Sequence, residues 1–91
     1  MTAADVLNKA ADLLERHGWC QGVSIDAAGR MCAGYALQQA EPDVHARYGA
    51  RIALFEIIGV DSVNILAWND RPKRTAEQVI ATFRAAAERA S

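Results

Sequence analysis

The chain begins and ends in segments whose apolar spacing restricts them to amphipathic helices. Near the N-terminus, Thr2 and Asp5 are placed as in a capping box, which is typical of a helix start. Thr75 and Gln78 repeat this arrangement before the last segment. After each pair, apolar residues recur with the 3.6-residue period of a helix that buries one face. The sequence therefore predicts a helix at each end, and Gly18 suits the position that ends the first.

Length predicts one domain over residues 1–91, and the helical patterns predict that it is mostly α, a bundle of about four helices with a short β-hairpin after the first. Apolar residues make up 52% of the chain, but many are alanines, which bury little area. The net charge of −1 gives no overall attraction to nucleic acid or to anionic membranes. We expect the core to come from the large apolar side chains Val6, Leu7, Leu13, Leu14, Trp19, Val23, Ile25, Tyr35, Leu37, Leu54, Phe55, Ile57, Ile58, Ile65, Leu66, Trp68, Val79, Ile80 and Phe83.

The segment from Trp19 to Cys32 has the pattern of a β-hairpin. Val23 and Ile25 flank a serine, so apolar and polar residues alternate as in a strand. Residues 26–29 read as a turn in which Gly29 supplies a positive φ. The sequence therefore predicts a short hairpin after the first helix.

Two further helices are predicted in the middle of the chain. The first is short and runs from Cys32 or Ala33 to Ala40. The second runs from Pro42, which is tolerated at a first helical position, to Ile58. Its expected buried stripe is Val44, Tyr48, Ile52, Phe55 and Ile58. After Gly59, a short helical turn opened by Asp61 or Ser62 is expected to carry Val63, Leu66 and Ala67.

Trp68, Asn69 and Asp70 are the candidate binding residues before the last helix. They can form a polar site beside an aromatic wall, with Trp19 nearby and Asp70 as acid, base or partner contact. Alternatively, Asn69 and Asp70 hold a turn through their own backbone while Trp68 fills the core. The structural interpretation is favoured because turn chemistry explains both polar residues.

The basic residues Arg71, Lys73 and Arg74 are a second candidate binding site. They can contact phosphate or an acidic partner near the start of the last helix. No aromatic residue lies among them, which favours a solvated loop and makes nucleic-acid binding a distant hypothesis.

Cys32, His45 and Asp70 are weak catalytic candidates. The order along the chain is Cys32, then His45, then Asn69 or Asp70. Papain-like hydrolases have their catalytic residues in the same order. A thiol at a helix start has a lowered pKa, as such chemistry requires. Against this, His45 falls on a predicted helix rather than on a sheet.

A metal site is the less favoured interpretation of the cysteines and histidines. His17 and Cys20 have half-site spacing, but Cys32 and His45 are too far apart to complete a compact second half. We expect no metal and no cofactor, and we interpret the two cysteines as free thiols of a reducing cytoplasm.

The chain resembles a family of small uncharacterised proteins from actinobacteria and their bacteriophages. The likeness rests on the segment 17–22, the turn 26–30, residues 32–40, and the Trp-Asn-Asp motif with the helix that follows it. It implies a small cytoplasmic helical protein, plausible as a phage product, and it brings no activity or catalytic residue.

Two classes of function follow from these observations. The first is a non-catalytic interaction module that contacts a host or phage protein or self-associates, with Ala86 and Ala87 of the last helix as a dimer face. The second is a small thiol-dependent enzyme that uses Cys32.

No apolar run approaches the roughly 20 residues that a bilayer span needs.

Overall fold

The computed structural model describes residues 1–59 and 65–91, which form five α-helices. They are α1 (Ala3–His17), α2 (Ala33–Ala40), α3 (Tyr48–Ile58), α4 (Ile65–Asn69) and α5 (Ala76–Ala90). Helix α1 packs against α2, α3 and α5, while α3 also packs against α5 and α2 contacts α4. The predicted helical class is confirmed. In the part of the chain that is described, no helix is long and apolar enough to cross a membrane.

Both predicted capping boxes are present. The Thr2 hydroxyl accepts a hydrogen bond from the Asp5 amide at 3.1 Å, and the Asp5 carboxylate accepts one from the Thr2 amide. Thr75 and Gln78 make the same reciprocal pair at the start of α5. Gly18 ends α1 with a φ of 91°, as expected for a glycine at this position. The end helices are thus determined locally, by residues three positions apart.

Small side chains fill much of the core. Among the described residues, nine of the twenty buried apolar positions are alanines. Phe83, Leu7, Leu14 and Leu54 are the largest fully buried side chains, and all four were predicted. Because alanine keeps helix axes close together, α1 can pack against three other helices at once. Ala86 and Ala87 belong to this core, so they are not available as the expected dimer face.

The predicted hairpin is wrong. The described residues contain no β-strand, and the segment after α1 has only two isolated bridges, both made by Met31. One bridge joins Met31 to Trp19 and the other joins it to Ile25. The chain therefore coils around Met31, so that Val23 and Ile25 are exposed instead of lying in the core.

Local hydrogen bonds hold the predicted turn, but the pairing beside it does not extend into a hairpin. The Asp26 carboxylate accepts bonds from the amides of Ala28 and Arg30, and from the Arg30 side chain at 2.6 Å. These bonds, with a positive φ at Gly29, close the chain within five residues. One antiparallel bridge, between Ile25 and Met31, follows the turn. The chain bends over residues 21–24, with Gly22 at positive φ, so the pairing ends there.

Helix α3 begins six residues later than predicted. Residues 44–47 form a turn before the helix, and the Asp43 carboxylate accepts a bond from the His45 amide. The Arg47 guanidinium donates to the carbonyls of Glu41 and Pro42 at 2.7 and 3.0 Å. These side-chain bonds occupy groups that a longer helix would use. The predicted stripe is also wrong, since its first three members, Val44, Tyr48 and Ile52, are exposed.

The short helix before Trp68 is present as α4. It includes Leu66 and Ala67, as predicted, but Leu66 is exposed and does not belong to the core. The expected start at Asp61 or Ser62, together with Val63, lies outside the described residues.

A matched pair of valine substitutions tests the corrected core. Val79→Ala removes two buried carbons and should lower the free energy of unfolding by about 1–2 kcal/mol. Val23→Ala should change it by less than about 0.5 kcal/mol, because Val23 is 52% exposed. Urea unfolding followed by circular dichroism measures both. Equal losses for the two variants would contradict the coiled loop and restore the hairpin.

Candidate functional site

Asn69 lies at the centre of the polar region predicted from the sequence. Its side chain is 0% exposed. The amide oxygen accepts bonds from the Trp19 indole at 2.6 Å and from the Ala33 backbone at 2.8 Å. The amide nitrogen donates to the Cys20 carbonyl at 3.1 Å and to the Asp70 carboxylate at 2.9 Å. An asparagine amide has two donors and two acceptor positions, so its capacity is fully used.

Neighbouring side chains complete this connection between the loop and the end of α4. Asp70 accepts a further bond from the Gly22 amide at 3.1 Å. Gln21 donates to the carbonyls of Asn69 and Arg71 at 3.0 and 2.8 Å. The bond from the Asn69 side chain, followed by that from Gly22, lowers the pKa of Asp70. Asp70 is therefore an ionised acceptor within a closed turn, which is the structural alternative of the sequence analysis.

Trp68 and Arg74 contact each other through a cation–π interaction and a hydrogen bond. Trp68 is buried, and the Arg74 guanidinium lies 4.5 Å from its ring centroid. Arg74 also donates to the Trp68 carbonyl at 3.0 Å. A stacked and hydrogen-bonded guanidinium is held in place and partly covered. Of the predicted basic cluster, only Arg71 and Lys73 remain fully exposed.

The proposed thiol site does not assemble in the described residues. Cys32 is 1% exposed, and its sulfur accepts a bond from the Tyr35 amide as the N-cap of α2. His45 lies in the exposed turn before α3. Within residues 1–59 and 65–91, no hydrogen bond joins Cys32, His45 and Asp70. Cys32 therefore acts as a capping residue in this fold.

The second cysteine is also part of the loop structure. Cys20 is buried, and its thiol lies 3.2 Å from the Arg30 carbonyl, to which it donates. Burial, and then the nearby Asp26 charge, raise the pKa of the Cys20 thiol. Over the described ranges, no group of three or more His, Cys, Asp or Glu side chains is arranged to hold a metal ion.

The outer face of α3 is a surface that the sequence analysis missed. We use this name for Val44, Tyr48 and Ile52, with Val44 in the turn that leads into the helix. Tyr48 is 63% exposed and Ile52 is 42% exposed. Both are two residues from the buried Ala50, which is about 200° of rotation on a helix. They therefore point away from the core. The pattern gave a partial signal, since α3 carries apolar residues on several sides, with Arg51 and Glu56 between them.

A groove runs beside this face, between α2, α3 and α4. Its volume is about 180 Å³, and its lining is Gly34, Leu37, Gln38, Arg47, Arg51 and Ile65. The Arg51 guanidinium lies 5.5 Å from the centroid of the Phe55 ring. Because Arg47 and Arg51 directly precede Tyr48 and Ile52, the groove borders the outer face of α3.

Comparison with known proteins identifies the family but not a function. The model of the family of unknown function DUF6197 matches residues 1–89. This chain belongs to that family. No curated protein matches the chain, and no solved structure matches it. Membership of an uncharacterised family, predicted from the resemblance, is thus confirmed, while an actinobacterial or phage origin stays a prediction.

Removing the Asn69 side chain tests its structural role. In Asn69→Ala the Trp19 indole, the Ala33 amide and the Cys20 carbonyl lose their partner in a buried site. We expect a loss of about 3 kcal/mol or more, since each unpaired buried group costs roughly 1–3 kcal/mol. Asn8→Ala is the control, because Asn8 is exposed and, within the described ranges, its side-chain oxygen accepts a bond from Arg84 alone. Urea unfolding that shows similar losses for both variants would refute the central role of Asn69.

Acid unfolding tests the carboxylate at Asp70. Its folded pKa lies below the unfolded value of about 3.9, so its stabilisation is complete above that pH. The stabilisation is lost as pH falls through the folded pKa. We expect the free energy of unfolding to decline less steeply below about pH 4 in Asp70→Asn than in the wild type. Asp43→Asn, which removes the same charge from an exposed turn, is the control; parallel curves for wild type and Asp70→Asn exclude the contribution.

Proposed function

We propose that this chain is a non-catalytic protein-interaction module and that the outer face of α3 is its contact surface. One observation supports this above the others. Three of the seven exposed large hydrophobic residues among those described, Val44, Tyr48 and Ile52, are spaced four residues apart. Residues at this spacing lie along one side of a helical segment. Such a row is the form in which helices present apolar side chains to a partner.

The composition of α3 supports the same function. Its inner face, with Ala50, Ala53 and Leu54, is covered by the rest of the chain. Apolar residues also lie outside this inner face, and the apolar sides of a helix are normally covered. Covering Tyr48 and Ile52 would remove apolar area from water, at about 25 cal/mol per Å². Tyrosine is also enriched at interface centres, because it combines a large apolar ring with a polar end.

The other candidate sites are less suited to binding. The Asn69 amide and the Asp70 carboxylate hold the fold through their own hydrogen bonds. Arg74 is stacked on Trp68. A thiol-dependent enzyme requires an accessible nucleophile, whereas Cys32 is buried and caps α2. Nucleic-acid binding would rest on Arg71 and Lys73 alone.

The resemblance indicates the class of the partner and not its identity. If the chain comes from an actinobacterium or its phage, the partner is a host or phage protein. Self-association is the alternative, and it too would use α3, because Ala86 and Ala87 are buried within the chain.

Two pairs of charge substitutions test the proposed surface. Tyr48→Glu with Ile52→Glu should reduce specific protein capture from an actinobacterial lysate at least tenfold, because each charge enters an apolar contact. Val23→Glu with Ile25→Glu alters equally exposed apolar residues on the loop and should leave capture unchanged. Quantitative mass spectrometry of the captured proteins gives the readout, and sedimentation of each variant reports self-association.

Folding must be checked in the same variants. All four substituted residues are exposed. The free energy of unfolding of each double variant should therefore lie within about 0.5 kcal/mol of the wild-type value. Undiminished capture by the folded α3 variant, together with unchanged sedimentation, would reject the outer face of α3 as the contact surface.

A further inference from the structure

We infer that the groove beside α3 receives an acidic side chain of the partner, so that the partner segment combines a carboxylate with neighbouring apolar residues. This inference rests on the proposed function and names the chemistry of the partner. It concerns the groove that Gly34, Leu37, Gln38, Arg47, Arg51 and Ile65 line.

The groove has an apolar floor and a cationic rim. Leu37 and Ile65 supply apolar surface from α2 and α4, and Gly34 adds no side chain. Arg47 is the N-cap of α3 and Arg51 follows four residues later in the helix, while Gln38 lines the groove from α2. Ligand pockets for drug-sized molecules are about 300–1,000 Å³. A groove of about 180 Å³ accommodates one or two side chains of a peptide instead.

The guanidinium of Arg47 is held in position by hydrogen bonds and still has donors available for a ligand. Its Nη1 atom donates to the carbonyls of Glu41 and Pro42. Neither contact is with a carboxylate, and Arg47 makes no ion pair with another of the described residues. A guanidinium that is already oriented loses little freedom when it binds a carboxylate, which it can contact through two nitrogens.

Arg51 is the second available cation. It is exposed, and its guanidinium lies over the Phe55 ring. Within the described ranges, the ion pairs involve Arg30, Arg84 and Arg89, and neither groove arginine takes part in one. Stacking on an aromatic ring leaves the edge of the guanidinium free to donate hydrogen bonds. Arg51 is therefore a positioned donor at the border of the outer face of α3.

Charge complementarity selects the partner. Among the described residues, the lining contains two arginines and no carboxylate, although the chain as a whole carries a net charge of −1. Local positive charge beside exposed Tyr48 and Ile52 fits an amphipathic segment with acidic and apolar residues. A polyanion such as nucleic acid would gain from the two arginines only, and it would leave the apolar row uncovered.

A peptide-display selection tests this inference without knowledge of the natural partner. A random library of about twelve-residue peptides is selected on the immobilised full chain, the length matching a few helical turns. The enriched peptides should place Asp or Glu within one turn of Leu, Ile, Phe or Trp. The affinity of the best peptide is then measured by fluorescence anisotropy at two salt concentrations, and it should weaken at the higher one.

A double-mutant cycle then assigns the contact to the groove. Arg51→Gln should lower the affinity for the best peptide about tenfold, as expected for the loss of a hydrogen bond between charged groups. Changing the peptide's acid to its amide should have the same effect in the wild type and little further effect in Arg51→Gln. Arg71→Gln, which removes an exposed arginine elsewhere, should leave the affinity unchanged.

The outcomes separate this inference from the proposed function. Enriched peptides that lack acids, but lose binding in Tyr48→Glu with Ile52→Glu, overturn the inference and leave the contact surface intact. Peptides that bind that variant as well as the wild type overturn both. Tighter binding of a 20-nucleotide single-stranded DNA than of any selected peptide, abolished in Arg51→Gln, also overturns the acidic-peptide assignment.

Discussion

The fold depends on one buried amide. The Asn69 side chain connects the loop after α1, the first residue of α2 and the end of α4 through four hydrogen bonds. Three of these bonds join the end of α4 to residues 36 to 50 positions away, and the fourth is to the neighbouring Asp70. An amide in an apolar interior is costly unless all its groups are paired, and here all are. The same bonds that satisfy Asn69 therefore determine the path of the loop.

This arrangement explains how so short a chain orders an irregular loop. The loop contains exposed Val23 and Ile25 and contributes Met31 and Cys20 to the interior. Apolar burial alone gives it little stabilisation, so hydrogen bonds from Gln21 and Gly22 to the end of α4 supplement it. Polar residues that suggest a catalytic or binding site in the sequence are thus used to hold the chain together.

The alanine-rich core has a consequence for the surface. Helix α3 packs against α1 and α5, and its buried residues are the small Ala50 and Ala53 together with Leu54. Only one side of α3 is taken into the core, and its opposite side, with Tyr48 and Ile52, faces outward. This member of the family DUF6197 thereby has a candidate contact surface that comes from its packing and not from a reactive group.

The sequence by itself determined the elements that rest on local interactions. Both end helices, their capping boxes, the turn at residues 26–29 and most of the large core residues could be predicted, because residues a few positions apart decide them. The candidate site was predicted only as a list of residues. Some of these side chains have their hydrogen-bonding groups satisfied inside the fold. Which ones depends on partners some fifty positions apart in the sequence, such as Trp19 and Asn69. Only the tertiary structure decided that the hairpin is a coiled loop, because Met31 can pair on two sides once the chain bends at Gly22. It also decided that Tyr48 and Ile52 are exposed, since a helix with apolar residues on several sides does not reveal which side the core will cover.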